Sequence, residues 1–202
     1  MLDLKLCPYI VTAIDPGLSG AVARLEKGVL TVERDFKSLR DINRAVQHLV
    51  PTSDLVILEA VHSRPGEGVC SVFTFGKSTG TALGSVFSHH VLNPVEVAPQ
   101  KWQNYFKGLF GVKQSFKEVT REIAVKIFPQ QAELFAWKKD HNTADAALMA
   151  VYGALNYSAL IALRESLAAN VSGQGKSRPK RSSARARSSQ SKGISLFREK
   201  AA

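Results

Sequence analysis

The sequence predicts an α/β domain with a mixed sheet, an antiparallel hairpin at one side of that sheet, and a basic tail. Three observations lead there. The β-branched, apolar runs "YIVTAID" (Tyr9–Asp15) and "LVILE" (Leu55–Glu59) read as buried strands. Amphipathic stretches with helical spacing alternate with them, which is the order of an α/β layer fold. The segment "AVARLEKGVLTVERDF" (Ala21–Phe36) reads as two strands turning at Lys27-Gly28.

The elements follow in order. "PGLSG" (Pro16–Gly20) is a turn after the first strand. Ser38 caps a helix over Leu39–Leu49, with Leu39, Ile42, Val46 and Leu49 along one face, and Pro51-Thr-Ser-Asp breaks it. "LVILE" comes next. "HSRPGEGVCS" (His62–Ser71) is a loop by its Gly and Pro content, and a helix rich in small residues runs from about Ser71 to Ser88. "PVEVAP" (Pro94–Pro99) is a short strand, and "QKWQNYF" (Gln100–Phe106) begins a short helix. Ser115 and Glu118 have capping-box spacing and open a helix to about Phe128. Asn142 or Thr143 caps a last long helix, Ala144 to about Ala168. The result is one folded domain over residues 1–170 and a tail over 171–202.

The chain has 202 residues, a net charge of +10 and a pI near 9.8, which suits a polyanionic partner such as nucleic acid. The charge is concentrated. Gly173–Ala202 holds nine Lys or Arg and one Glu, and seven of those cations fall within Lys176–Lys192. The segment "SGQGKSRPKRSSARARSSQSKG" has almost no core-forming residues and is expected to be a disordered, polybasic arm drawn to phosphates. Cys7 and Cys70 make neither a disulfide framework nor a zinc site, which points to a reducing compartment. No apolar run approaches the length of a membrane span, and "MLDLKLCPYIV" lacks a signal-peptide layout.

Four carboxylates stand at element ends: Asp15 and Glu59 at strand ends, Asp140 and Asp145 around the start of the last helix. Strand ends of an α/β sheet are where sites are built. A carboxylate directly after four apolar residues, as at Glu59, needs a partner or a metal. Asp140 and Asp145 are five apart and would diverge by about 140° on one helix, so they converge only if Asp140 precedes the helix. His141 lies four before Asp145 and shares its side. Converging carboxylates suit hard divalent cations, and a two-metal site hydrolyses phosphodiesters. Each acid alone also fits a turn or a helix cap. "FGKSTG" (Phe75–Gly80) is an incomplete phosphate loop, because Ser71 stands where a Gly is needed. Lys77 within it is a phosphate contact or a solvated helix lysine.

The series "AIDPGLSGAVA", "LVILEAVHSRPGEGVCSVFTFGKSTG", "VAPQKWQNYF", "FKEVTREIAVKIFP" and "KKDHNTADAALMAVYG" resembles the RuvC-type Holliday-junction resolvases, on the phage, bacterial and plant-chloroplast side of that family. The resemblance spans about residues 9–157. It implies a ribonuclease H-like fold with a mixed five-stranded sheet flanked by helices, a homodimer, and paired, symmetric nicking of opposed strands at a four-way DNA junction, dependent on Mg²⁺ or Mn²⁺ with two ions per active site. By position, Asp15, Glu59, Asp140 and Asp145 would be the metal-binding catalytic acids. Asp15 would bridge both ions, Glu59 and Asp145 would hold one each, and Asp140 would complete a shell. His141 would orient the water. Lys117, Lys138 and Lys139, with Lys77, His62 and Arg64, would contact DNA.

Two features depart from the family pattern. The last two acids are five apart rather than three, as on the chloroplast-like side, and His62 stands where an aromatic residue is expected at the junction centre. Phe73 or Phe75 takes a wedge role or packs in the core. Other nucleases of this fold, acting on branched DNA or RNA–DNA hybrids, and a non-catalytic junction binder are the alternatives. The expected setting is the cytoplasm of a bacterial or phage-infected cell, or an organellar nucleoid.

Overall fold

The structure, a computed structural model, describes residues 4–60, 62, 66–90 and 92–173; for Lys117, Glu118 and residues 170–173 only the backbone is described. Arg64 and the tail beyond residue 173 lie outside the described residues.

Five strands form one sheet: β1 (Val11–Asp15), β2 (Ala21–Glu26), β3 (Val29–Arg34), β4 (Leu55–Glu59) and β5 (Val95–Val97). Their order is β3-β2-β1-β4-β5, with β1 antiparallel to β2, β2 antiparallel to β3, and β1, β4 and β5 mutually parallel. This is the ribonuclease H-like arrangement. The β2–β3 hairpin turns with positive φ at both Lys27 and Gly28 (47° and 79°), the two-residue geometry that matches strand twist.

Strand parity sorts the core into two layers. Ile14, Val22, Val56 and Leu58 face α1 (Leu39–Leu49) and α2 (Val69–His89), against Ile42, Val46, Ala82 and Val86. Val11, Ala13, Leu55 and Ile57 face the other side, where α5 (His141–Leu155) lies over the sheet with α3 (Pro99–Phe110) and α4 (Phe116–Ile127) beside it. α5 is buried along nearly its whole length. Gly153 lets it approach, because a Cβ there would meet Ile57 Cδ1 and Val11 Cγ1 at 2.5 and 2.7 Å. Helix α1 starts as expected at Ser38, where the Asp41 carboxylate accepts from the N–H of Lys37 and Ser38 and from Ser38 Oγ, at 2.9–3.0 Å.

Several expectations are corrected. The last long helix is two helices: α5 ends at Asn156, whose side chain donates back to the Tyr152 carbonyl (2.9 Å), and α6 (Tyr157–Gly173) leaves at 87°. Neither Asn142 nor Thr143 caps α5; Asp140 is its N-cap residue, and both candidates sit inside the first turn. Between α4 and α5 lie two 3-10 turns, Pro129–Phe135 and Lys138–Asp140. Phe73 is not a core residue: it is 67% exposed. A 21-residue helix is about 30 Å long, roughly twice the length of the five-residue strands beneath, so the first turns of α2 overhang the sheet. Among the described residues no single helix is long and apolar enough to cross a membrane.

Candidate active site

Asp15 and Glu59 are brought together by register. In the parallel β1–β4 pair, Ile14 stands opposite Leu58, so the next residues on each strand are Asp15 and Glu59, side by side at the C-terminal strand ends. Parity sends both side chains to the face of Val11, Ala13, Leu55 and Ile57, the face that α5 covers. α5 carries Asp145 in its second turn. Gly20 closes the turn after β1 so tightly that a Cβ there would strike the Asp15 carbonyl.

The electrostatics record this convergence. Burial pushes the Asp15 carboxyl up to about 6, against a lowering hydrogen bond from the Gly17 backbone. Burial likewise pushes Glu59 up to about 7, and the charges of Asp15 and Asp145 add to the rise. The Trp102 indole Nε1–H donates to Glu59 Oε1 (3.2 Å) and pulls the other way. Among the described residues neither Asp15 nor Glu59 has a Lys, Arg or His within ion-pair distance. Asp15 and Glu59 therefore sit where negative charge is costly, and the charge of Asp145 adds to that cost at Glu59.

Asp140 lies before α5, in the approach turn, as its spacing from Asp145 requires. Its carboxylate has other partners, however. Oδ1 pairs with Arg34 Nη1 (3.1 Å), and Oδ2 accepts the Trp137 N–H (2.8 Å), with the side chain 3% exposed. Arg34 also donates to the Leu134 carbonyl (2.9 Å), so it ties the end of β3 to the entry of α5. The structure brings Asp15, Glu59 and Asp145 together and gives Asp140 a separate, neutralised setting.

His141 opens α5, one turn from Asp145, with Nδ1 against the Lys138 carbonyl (3.3 Å). A hydrogen there leaves Nε2 as the acceptor. Lys138 and Lys139 are exposed beside it, and Lys139 reaches Asp35 at 4.0 Å. Lys77 is exposed on α2, its Nζ 5.0 Å from the Phe73 ring centre, and His62 is exposed. Lys117 is the second residue of α4; its side chain, like the whole of Arg64, lies outside the described residues.

Sequence reasoning missed two residues at this site. Trp102 is fully buried and contacts Glu59 from α3, a pairing across 43 positions that no local pattern announces. Asn142 lies three before Asp145, on the same helix face, and its Nδ2 donates to the Ser19 carbonyl (2.6 Å), fastening α5 to the turn after Asp15. Its i,i+3 spacing was the available signal.

Asp15 and Glu59 fit a hard divalent cation by donor type: adjacent carboxylate oxygens, neither ion-paired to a Lys, Arg or His among the described residues. Among the described residues no three His, Cys, Asp or Glu side chains stand close enough to enclose one ion.

No family model and no curated protein matches the sequence. Among solved structures the chain is similar to Thermus thermophilus RuvC, with 19% identity and a TM-score of 0.49, covering 73% of this chain and 96% of that one. It is also similar to T. thermophilus RuvC in complex with a Holliday junction substrate, with 15% identity, a TM-score of 0.48 and the same two coverages. The ribonuclease H-like assignment itself rests on the strand order and sense read directly from this chain.

Proposed function

We propose that this protein is a Mg²⁺- or Mn²⁺-dependent endonuclease that cuts opposed strands of four-way DNA junctions. One observation carries the reading: Asp15 and Glu59 stand side by side at one sheet end, both carboxyls raised by burial and Glu59 raised further by the charges of Asp15 and Asp145, in a chain whose ordered motif series resembles junction resolvases. Asp15 and Glu59 would hold the ions, with Asp145 supporting them. Bound there, divalent ions supply phosphoryl polarisation and a water of lowered pKa. Asp140 acts through Arg34 as the brace of the α5 entry. Trp102 fixes Glu59 Oε1, Asn142 fixes the turn beside Asp15, and His141 Nε2 is positioned to accept a proton or orient water. Lys77, Lys138, Lys139, Lys117, His62, Arg64 and the basic tail supply attraction to phosphates, which raises affinity for any DNA. The setting is a reducing, DNA-bearing compartment, cytoplasmic or nucleoid.

A second copy of the chain is the proposed partner for α2. Val69, Phe73, Gly76, Gly80 and Phe87 fall in one helical stripe opposite its buried side. Val69, Phe73 and Phe87 are 84, 67 and 56% exposed, and the glycines face open space. Small residues flanked by aromatics allow close helix pairing, and a homodimer would present two sites to two opposed strands.

The test is cleavage of a substrate panel (four-way junction, flap, RNA–DNA hybrid and linear duplex) by the wild type and Asp15→Asn in Mg²⁺. Paired nicks in the junction, lost by at least about a thousandfold in the variant with junction binding retained, are the expected result. Preferential cutting of hybrid or flap points to another nuclease of this fold. Undiminished nicking by Asp15→Asn removes the assignment.

A further inference from the structure

Trp137 is 69% exposed, whereas the chain's other tryptophan, Trp102, is fully buried. The exposed indole stands on a fixed turn. The Trp137 backbone N–H donates to Asp140 Oδ2 (2.8 Å), the Asp140 N–H donates back to the Trp137 carbonyl (2.9 Å), and Arg34 holds Asp140 from the other side (3.1 Å). The two residues before it are held as well, because Arg121 Nη1 donates to the carbonyls of Phe135 and Ala136 (3.2 and 3.3 Å).

Two of the exposed chain neighbours of Trp137 are cations. Lys138 and Lys139 follow it, Ala136 precedes it, and the turn leads straight into α5, whose first turns carry His141, Asn142 and Asp145. The indole thus stands at the acid end of the sheet with two cations beside it. A buried protein contact would favour an apolar surround. A flat π-face flanked by lysines instead suits a nucleotide: the cations attract its phosphate while the ring stacks on its base. A rigid platform loses little freedom on stacking, which favours the same use.

We propose that Trp137 stacks on an unpaired nucleobase beside the scissile phosphate, so that the enzyme prefers positions where a base is already unstacked, as at a branch point. This rests on the nuclease reading above. Base–aromatic stacking tolerates any base, so Trp137 selects by structure rather than by sequence.

The two tryptophans make the test direct, since iodide quenches an exposed indole and spares a buried one. The full chain, in metal-free buffer, is titrated with a four-way junction or with linear duplex, and binding is followed separately by gel shift. Junction binding should remove the iodide-quenchable emission, duplex should remove much less of it, and Trp137→Phe should show none at the outset. Trp137→Ala should bind the junction about tenfold more weakly, with a smaller change for duplex. Junction that shifts the protein while iodide still quenches Trp137 as in the free chain overturns the proposal. So does protection that appears with protein concentration alone, which would mean that a protein contact covers the indole. If no DNA shifts the protein, the nuclease reading fails and this inference goes with it. If DNA shifts it but leaves Trp137 exposed, only the stacking fails.

Discussion

Asp140 and the Asp15–Glu59 pair lie at the same end of the molecule and are built from the same chemistry, yet they occupy opposite electrostatic settings. Asp140 is buried among donors, with Arg34 Nη1 at 3.1 Å and the Trp137 N–H at 2.8 Å. Asp15 and Glu59 are held beside each other and near the charge of Asp145, with carboxyls pushed up to about 6 and about 7. A carboxylate that serves the fold is surrounded by positive partners. Carboxylates kept close at an energetic cost are what the proposed divalent cation would relieve. The difference separates a brace from the proposed centre more sharply than position along the chain does.

The brace offers the largest effect. Arg34→Ala leaves the Asp140 carboxylate buried without its cation, and the loss expected is about 3–5 kcal/mol in the folding free energy. The double variant Arg34→Met/Asp140→Leu should recover most of it, because no buried charge remains. Chemical denaturation of the three proteins reads this out. A loss below about 1 kcal/mol for Arg34→Ala would mean that water reaches Asp140 and that the contrast with Asp15 and Glu59 is shallow.

The acid pair gives the opposite sign. Glu59 has its carboxyl raised from 4.5 to about 7, so the folded state keeps a proton that the unfolded chain releases over that window. Its contribution is neutral below about pH 4.5, becomes increasingly destabilising as pH climbs to about 7, and levels off above it. Asp15 behaves likewise between 3.8 and about 6. Glu59→Gln should therefore be more stable than the wild type in metal-free buffer at pH 8, by about 2 kcal/mol after allowance for partial exposure, with the two curves meeting near pH 4.5. Adding Mg²⁺ at pH 8 should raise the wild-type melting temperature and move the variant much less. Parallel pH curves for the two proteins would show that Glu59 is not under strain.

Much of this was legible in local sequence. "LVILE" placed Glu59 at a strand end, because four buried apolar residues leave only the position after them for a carboxylate, and β4 occupies those residues. The Lys27-Gly28 turn and the Ser38 start were equally local, since turn dihedrals and caps depend on near neighbours. Pairwise chemistry across the fold was not legible. Nothing near Asp140 announces that its cation comes from β3, and nothing near Trp102 announces Glu59. The break at Asn156 escaped for a related reason: the apolar periodicity runs through it, and a side-chain hydrogen bond to the Tyr152 carbonyl ends the helix. Phe73 misled because helix-face periodicity cannot say how far a helix extends beyond the sheet it covers.

The finest distinction concerns Trp102. Its Nε1–H is the polar contact that favours the charged form of Glu59, while burial and neighbouring acids favour the neutral form. Trp102→Phe keeps a ring in the core to meet Phe116, which Trp102 now contacts edge-on at 5.3 Å, and removes only the donor and part of the indole. The lost volume should cost about 1–2 kcal/mol at every pH. On top of that, the Glu59 carboxyl should move up further, and above pH 7 an additional loss of about 1 kcal/mol should appear that is absent at pH 4. Only this pH-dependent part reports on the hydrogen bond. It should vanish in the Glu59→Gln background, where no charge remains to be favoured. A Trp102→Phe cost that is flat from pH 4 to 8 would reduce Trp102 to core packing and leave burial and the neighbouring acids to set the Glu59 carboxyl.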